Sequence, residues 1–457
     1  MDRRASGIKI AAENRPHTVS GGWVAASTFC VLSLALIMTS AGCTVATSST
    51  GQNPPVAAAP QFSESAGSYS SPINVTISCK TDGATICYTT DGTDPGEYTG
   101  NLYSGPIFIP CSCTLKAMAW KNQMTDSPVS AAVYSFSITP YCAGYYINVS
   151  QTVPCYWAGT KRVDLPGASP NSAARSIYVS QGTVYTAGWY EDGSQYVPCF
   201  WKGTVKTDLS GEGSDSGAGG ICVVGGSVYV SGNYNNGTQD VPCLWKDGVR
   251  TDLPVPGGGA GDGWGLCVSG GTVYLAGNYM NASQHCVPCY WAGTTEVDLP
   301  LLAPSSDSSG TAIVVDNDTV YISGYYNNGT QDVPCYWVST GSSSLRTDLP
   351  LPSGSGPGYA MWMYETGGTV LTAGHYNDLV EKACYWTGSV RTDLPGWTDL
   401  NVSGYAFAGQ MSGGAVWMAG CVSNTSVLVP CLWTGSQRID LPGDGMNNAE
   451  VYAFTMY

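Results

Sequence analysis

Charge is scarce in this chain. Only 11% of its residues are Asp, Glu, Lys or Arg, and 18 basic side chains face 33 acidic ones. That deficit of positive charge argues against a nucleic-acid partner and against an electrostatic grip on an anionic membrane face, since both need clustered Lys and Arg. Histidine is rarer still, with three in 457 residues. No metal-ligand spacing is present and no motif supports a Ser-His-Asp triad, so neither a metal nor a cofactor is expected. A phosphate-binding loop is also missing: the glycine-rich run "GGGAGDGWG" at 257–265 precedes a strand pattern rather than a helix and reads as a long loop. Phenylalanine is sparse, with seven residues against 29 tyrosines and 14 tryptophans. The aromatic content is therefore amphipathic, and with 58 glycines and 27 prolines it points to an all-β chain rich in turns.

The first segment reads as an export signal. Arg3, Arg4, Lys9 and Arg15 precede an uncharged apolar run from Trp23 to Cys43, and no further charge appears until Glu64. A basic flank, an apolar core and small residues before a cysteine are the features of a secretory signal. The tetrad Ser40-Ala41-Gly42-Cys43 resembles a bacterial lipobox, which implies cleavage after residue 42 and lipid attachment at Cys43. It departs from that pattern at Ser40, where leucine is usual. The alternative is an uncleaved N-terminal helix, because an apolar run of this length can span a bilayer. Residues 43–58 are small, polar and proline-bearing and form a tether. The expected location is the cell envelope, held by the lipid in the outer membrane or at the cell surface.

From residue 59 to 137 short alternating strands are separated by turns such as "TDG" and "DGTDPG", the pattern of a small β-sandwich. Val75-Thr76-Ile77-Ser78, Ile86-Cys87-Tyr88-Thr89-Thr90-Asp91-Gly92, Tyr103-Ser104-Gly105-Pro106-Ile107 and Leu115-Lys116-Ala117 give this segment a resemblance to the fibronectin-type-III-associated module named for the C-terminal domain of chitobiase and β-hexosaminidase. That resemblance implies an accessory domain with no catalytic residues to carry over. Cys79 and Cys87 flank one turn and form a candidate disulfide if their strands pair as a hairpin; on opposite sheets they are out of reach.

From residue 138 onward a single unit recurs. Seven Cys-x-Trp motifs end at Trp157, Trp201, Trp245, Trp291, Trp337, Trp386 and Trp433, each followed by an Asp-Leu pair and preceded by a small-Gly step. Each unit divides into four short strands, which is the blade of a β-propeller. The first copy begins at its second strand, and the chain carries a spare first strand at residues 451–457. The expected architecture is thus a seven-bladed propeller over 138–457, its first sheet completed by the C-terminal strand. A solenoid is the alternative, but it has no reason to close. The cysteine and tryptophan of each motif share a strand face and read as packing between blades. The repeated aspartate is expected to accept hydrogen bonds from backbone amides. Together with the signal, this organisation resembles the repeat-bearing surface lipoproteins of spirochaetes and similar bacteria.

No catalytic residue can be named. Function is expected where the repeat is broken: Trp264 and Trp397, with the acids Asp215, Asp262 and Asp399, lie in variable connections. A tryptophan outside the repeat either stacks on a sugar or partner protein or packs over its own blade end. His375 occupies the place of Asn233, Asn278 and Tyr325 in other copies, read as a hairpin position. The signal, the lipobox resemblance and the repeat together lead to the expectation of an exported, lipid-anchored, monomeric binding scaffold with a glycan or protein ligand. The alternative is a carbohydrate-active enzyme or auxiliary protein, which would need a carboxylate pair in one pocket.

Overall fold

Every described sheet is built from short strands, because the alternating apolar positions and Gly/Asn/Asp turns of this chain satisfy a period of two and not of 3.6. The computed structural model describes residues 54–457 except 70, 71, 98, 110, 137, 212–215, 302–306, 342, 396–401, 413, 414, 425 and 436. The expected signal, Cys43, Asp215, Trp397 and Asp399 lie outside the described residues. Among the described residues, helix is limited to one 3-10 turn, Pro256–Gly258.

The N-terminal strands pair among themselves. A five-stranded sheet runs Gly67–Tyr69, Ser130–Phe136, Cys113–Trp120, Thr85–Thr89, Asn101–Leu102, and two further pairs are Gln61–Phe62 with Ile77–Ser78 and Ile73–Val75 with Ile107–Ile109. Val75, Ile77, Ile107, Ile109, Leu115 and Tyr134 fill the space between them. The hairpin that would set Cys79 opposite Cys87 does not form. Strand Ile77–Ser78 pairs with Gln61–Phe62, whereas Thr85–Thr89 pairs with Cys113–Trp120, and both cysteines are free thiols.

Seven four-stranded antiparallel sheets follow. Sheet one joins Pro140–Asn148, Gln151–Ala158 and Lys161–Asp164 to the distant strand Ala449–Met456. Sheets two to seven are contiguous in sequence and begin at Ser172, Gly217, Gly261, Ser308, Gly358 and Gly404. Ala449–Met456 takes the place in sheet one that the first strand holds in the other six. First strands of neighbouring sheets pack on one another, and Ala449–Met456 packs between those of sheets seven and two.

The repeated residues bind each sheet to the one before it. All seven motif tryptophans are fully buried. Each indole Nε1 donates to a carbonyl at the end of the preceding sheet: Trp201 to Pro166, Trp245 to Ser210, Trp291 to Pro254, Trp337 to Pro300, Trp386 to Pro350 and Trp433 to Pro395. Trp157 of sheet one donates to Pro442, beyond the last strand of sheet seven, at 3.0 Å. The motif cysteines beside them are buried free thiols whose titration burial pushes well up. They act as small apolar filler.

The repeated aspartate has a different task from the one expected. Asp348 Oδ2 accepts the Tyr326 hydroxyl at 2.9 Å, and Oδ1 accepts Arg346 Nε at 2.9 Å. Arg346 also lies over the Tyr326 ring, 3.7 Å from its centroid. The same Tyr–Asp–Arg clamp recurs with Tyr146, Asp164 and Arg162, and with Tyr234, Asp252 and Arg250. A tyrosine supplied by the second strand reaches the acid before any backbone amide does.

The small-Gly step also has a physical cause. In every repeat sheet the first strand bulges opposite this glycine. A Cβ at Gly144, Gly188, Gly324 or Gly374 would overlap the carbonyl oxygen of Glu450, Ala173, Ser309 or Tyr359 respectively. Only glycine leaves room for the bulge.

Candidate functional site

The bulge frees residues from ladder pairing in each first strand, and these residues do not repeat. They are Tyr452, Arg175, Gly219, Trp264 with Gly265, Thr311, Met361 and Phe407 in sheets one to seven. The residue after the repeated glycine is equally free of pattern: Tyr145, Trp189, Asn233, Asn278, Tyr325, His375 and Cys421. Its cross-strand partners in sheets one, five, six and seven are Glu450, Ser309, Tyr359 and Tyr405.

These two sets meet in one continuous layer. The Tyr325 ring lies 4.9 Å from that of Tyr359, Tyr359 lies 5.3 Å from His375, and His375 lies 5.0 Å from Tyr405. Tyr405 stacks on Phe407 at 5.8 Å, and Phe407 meets Tyr452 edge-on at 5.5 Å. Tyr452 lies beside Tyr145 at 5.8 Å, and the Arg175 guanidinium covers its ring at 4.5 Å. The arc thus crosses sheets five, six, seven, one and two, and most of its tyrosines are half-buried.

Acids stand along it. The Tyr145 hydroxyl donates to Glu450 Oε1 at 2.8 Å, and Tyr359 donates to Asp332 at 2.9 Å. Asn377 donates to Glu381 Oε1 at 3.1 Å. Glu381 Oε2 lies 3.9 Å from His375 Nε2, beyond hydrogen-bond reach. Of the buried side-chain atoms without a hydrogen-bond partner among the described residues, His375 Nδ1 and Glu381 Oε2 lie along the arc, and Glu450 bonds the Tyr145 and Tyr452 hydroxyls. Burial lowers the His375 imidazole to about 4, which leaves it neutral at physiological pH. Burial raises the carboxyls of Glu450 and Glu381. It also raises the Tyr405 phenol, with Glu381 and Glu450 adding to the rise.

Of the residues singled out from sequence, Trp264 and Asp262 lie in sheet four, which neighbours sheet five at the start of the arc, and not in a loop. Both lie in strand Gly261–Ser269, Trp264 on the bulge and Asp262 paired with Asn278. The Trp264 indole points to Asn278 Oδ1 at 3.4 Å, and that oxygen also accepts Ser309 Oγ at 2.9 Å. Glycines here serve close approach rather than flexibility, since a Cβ on Gly265 would press on the Ala312 backbone. His375 is a buried residue within strand Thr369–Asp378 and not a hairpin position. Tyr145, Tyr325, Tyr359, Tyr405, Phe407, Tyr452, Glu450 and Glu381 were missed. Their signal was present: each aromatic among them, and Glu450, sits at, beside or across from a glycine-defined bulge. No group of three or more His, Cys, Asp or Glu able to hold a metal occurs among the described residues.

Comparison with known proteins bears on the N-terminal strands first. Residues 64–131 match the chitobiase/β-hexosaminidase C-terminal domain. No curated protein sequence matches the chain. Among solved structures, the fold is similar to a quinonprotein alcohol dehydrogenase-like protein from Bacteroides thetaiotaomicron, at 10% identity over 86% of this chain and 98% of that one, with a TM-score of 0.38. It is also similar to YjhT, at 11% identity over 61% of this chain and 99% of that one, with a TM-score of 0.36. A thermostable family-43 glycoside hydrolase is similar at 9% identity over 48% of this chain and 92% of that one, with a TM-score of 0.31. Likenesses this distant carry no argument about chemistry. The site rests on its own geometry.

Proposed function

We propose that this chain is an exported, lipid-anchored binding protein. Residues 1–42 are its signal, 43–58 its tether, 59–137 its accessory sandwich, and 138–457 a closed seven-bladed propeller that presents the ligand site. The pairing of Ala449–Met456 with Pro140–Asn148 supports closure, as does the Trp157 bond to Pro442. The observation that carries the functional reading is the arc itself. Where the scaffold repeats in all seven sheets, two positions per sheet do not, and in sheets five, six, seven and one some of the residues installed there join with the cross-strand residues Tyr359 and Tyr405 in one continuous run of rings, with His375 Nδ1 and Glu381 Oε2 unsatisfied beside it. Side chains needed only for architecture would repeat with it. The chain is a monomer in this reading, with the membrane reached through Cys43.

Two measurements test it. Cys43→Ala moves the protein from the detergent phase to the aqueous phase while its circular dichroism is unchanged; detergent partitioning of the variant favours an uncleaved helix instead. Tyr359→Ala and Tyr405→Ala together abolish retention of ligand on a glycan and protein array without lowering the melting temperature by more than a few degrees. Full retention by the double variant removes the arc as the site.

A second reading, a carbohydrate-active enzyme, is favoured by Glu381 and Glu450, two burial-raised carboxyls that both act on Tyr405. The name of the matched accessory domain supports looking among saccharides. Turnover of chromogenic glycosides that is lost in both Glu381→Gln and Glu450→Gln would establish it.

A further inference from the structure

Resting on the binding reading above, we propose that the arc takes a neutral saccharide, its ring faces seated on Tyr359, Tyr405 and Phe407 and its hydroxyls bonded to His375 and Glu381. Three features of the layer select this class over others.

The first is the form of the surface. Tyr359, His375, Tyr405 and Phe407 come from neighbouring sheets six and seven, with successive centroids 5.0 to 5.8 Å apart and planes that are in turn tilted, edge-on and stacked. Such a run offers ring faces to a flat apolar patch, and a pyranose presents one on its C–H face. A tyrosine adds a hydroxyl at the wet end of the same side chain.

The second is the hydrogen-bond inventory. A sugar hydroxyl both donates and accepts, so its site needs both kinds of partner. His375 Nδ1 is unpartnered on a side chain only 5% exposed, and Glu381 Oε2 is unpartnered beside it, while Glu450 is held by the Tyr145 and Tyr452 hydroxyls. Unsatisfied polar atoms at this depth cost stability unless a bound group completes them. A neutral imidazole supplies one donor and one acceptor, and burial holds His375 in that form.

The third is charge. Asp332, hydrogen-bonded to Tyr359, sets an acidic side chain against an anion at one end of the arc. At its other end Arg175 already covers the Tyr452 face at 4.5 Å, the place an organic cation would seek. A neutral polyhydroxylated ligand meets neither obstacle and uses the rings and polar atoms together.

The test uses the full-length protein in detergent. Chitotetraose, cellotetraose, xylotetraose and maltotetraose are titrated calorimetrically, with sialyllactose as the anionic probe and choline as the cationic one. At least one neutral tetrasaccharide is expected to bind, and Tyr359→Ala or Tyr405→Ala to weaken it tenfold or more. Tyr405→Phe, which keeps the ring, should weaken it less than Tyr405→Ala. His375→Ala should weaken it in parallel at pH 5.5 and pH 8. Circular dichroism identifies any variant that has failed to fold, and the Phe variant then decides.

Sialyllactose or choline bound through Tyr359 and Tyr405, with no neutral sugar bound, overturns the ligand class and keeps the arc as the site. A neutral sugar bound equally by wild type and both alanine variants overturns the site. Failure of all six probes overturns the saccharide assignment and leaves the array experiment above to judge the binding reading separately.

Discussion

Two regions of the same sheets follow opposite rules. On the third and fourth strands a tryptophan, a cysteine, an aspartate and, in six sheets, a basic residue recur in fixed geometry. Each tryptophan is fully buried and bonded to the preceding sheet. At the bulge and its neighbours, one sheet carries Arg175, another Trp264, another Phe407. The bulge makes this division possible, because it takes one residue out of ladder pairing without disturbing the strands that hold the sheet. Repetition therefore marks what the fold requires, and its loss marks positions the fold leaves free to vary.

The largest effect should come from breaking the scaffold where it is joined. Deleting residues 450–457 removes most of the strand that takes the first-strand place in sheet one, together with Val451 and Phe454 from its core, and leaves Pro140–Asn148 as an open edge. Scanning calorimetry and light scattering should show a broadened, lowered transition or oligomers. A monomer with an unchanged transition would mean that the strand is dispensable.

A smaller and more discriminating effect comes from one substitution in each region. Trp337→Ala should cost about 3–5 kcal/mol in urea unfolding, because it empties a fully buried site and removes the bond to Pro300. Ligand affinity measured on the folded fraction should stay within a factor of two. Tyr359→Ala should do the reverse, costing stability little while affinity falls. Equal losses of stability in both variants would erase the distinction between scaffold and site.

The smallest effect sits in the one sheet that breaks the outer rule. Sheet four has Glu296 where the other six have Arg or Lys, and its carboxyl lies beside Asp298. Burial, then the Asp298 charge, raises it to about 7. A folded-state value above the unfolded one means that the folded form binds the extra proton. Stability should therefore fall as pH rises from about 4.5 to about 7. Glu296→Gln should raise the melting temperature at pH 8, by on the order of 2 °C, and leave it unchanged at pH 4.5. An equal shift at both values would show that the carboxyl does not titrate in this range.

Much of the scaffold was legible in the sequence because it is written seven times. The Cys-x-Trp spacing marked each third strand, and the incomplete first copy pointed to the strand that ends at Met456. The site was harder to read, because its residues are defined by a backbone irregularity. A bulge has no side-chain signature of its own, and the glycines around Trp264 resemble a loop when they in fact permit inner strands to touch. His375 looked like a turn residue because asparagine fills the same place in two other sheets, Asn233 and Asn278. The aspartate was assigned backbone partners because its tyrosine partner lies 18 to 22 positions away on the second strand and meets it only in the folded sheet, while its arginine sits two residues earlier on its own strand.

The hydrogen bond from Tyr145 to Glu450 joins residues 305 positions apart in the chain. During synthesis, nearly the whole repeat array must emerge before Glu450 and Tyr452 can take their places beside Tyr145 and Phe407. A chain stalled or clipped anywhere between them carries tryptophan-stitched sheets but no finished arc. The arc is therefore completed late and all at once.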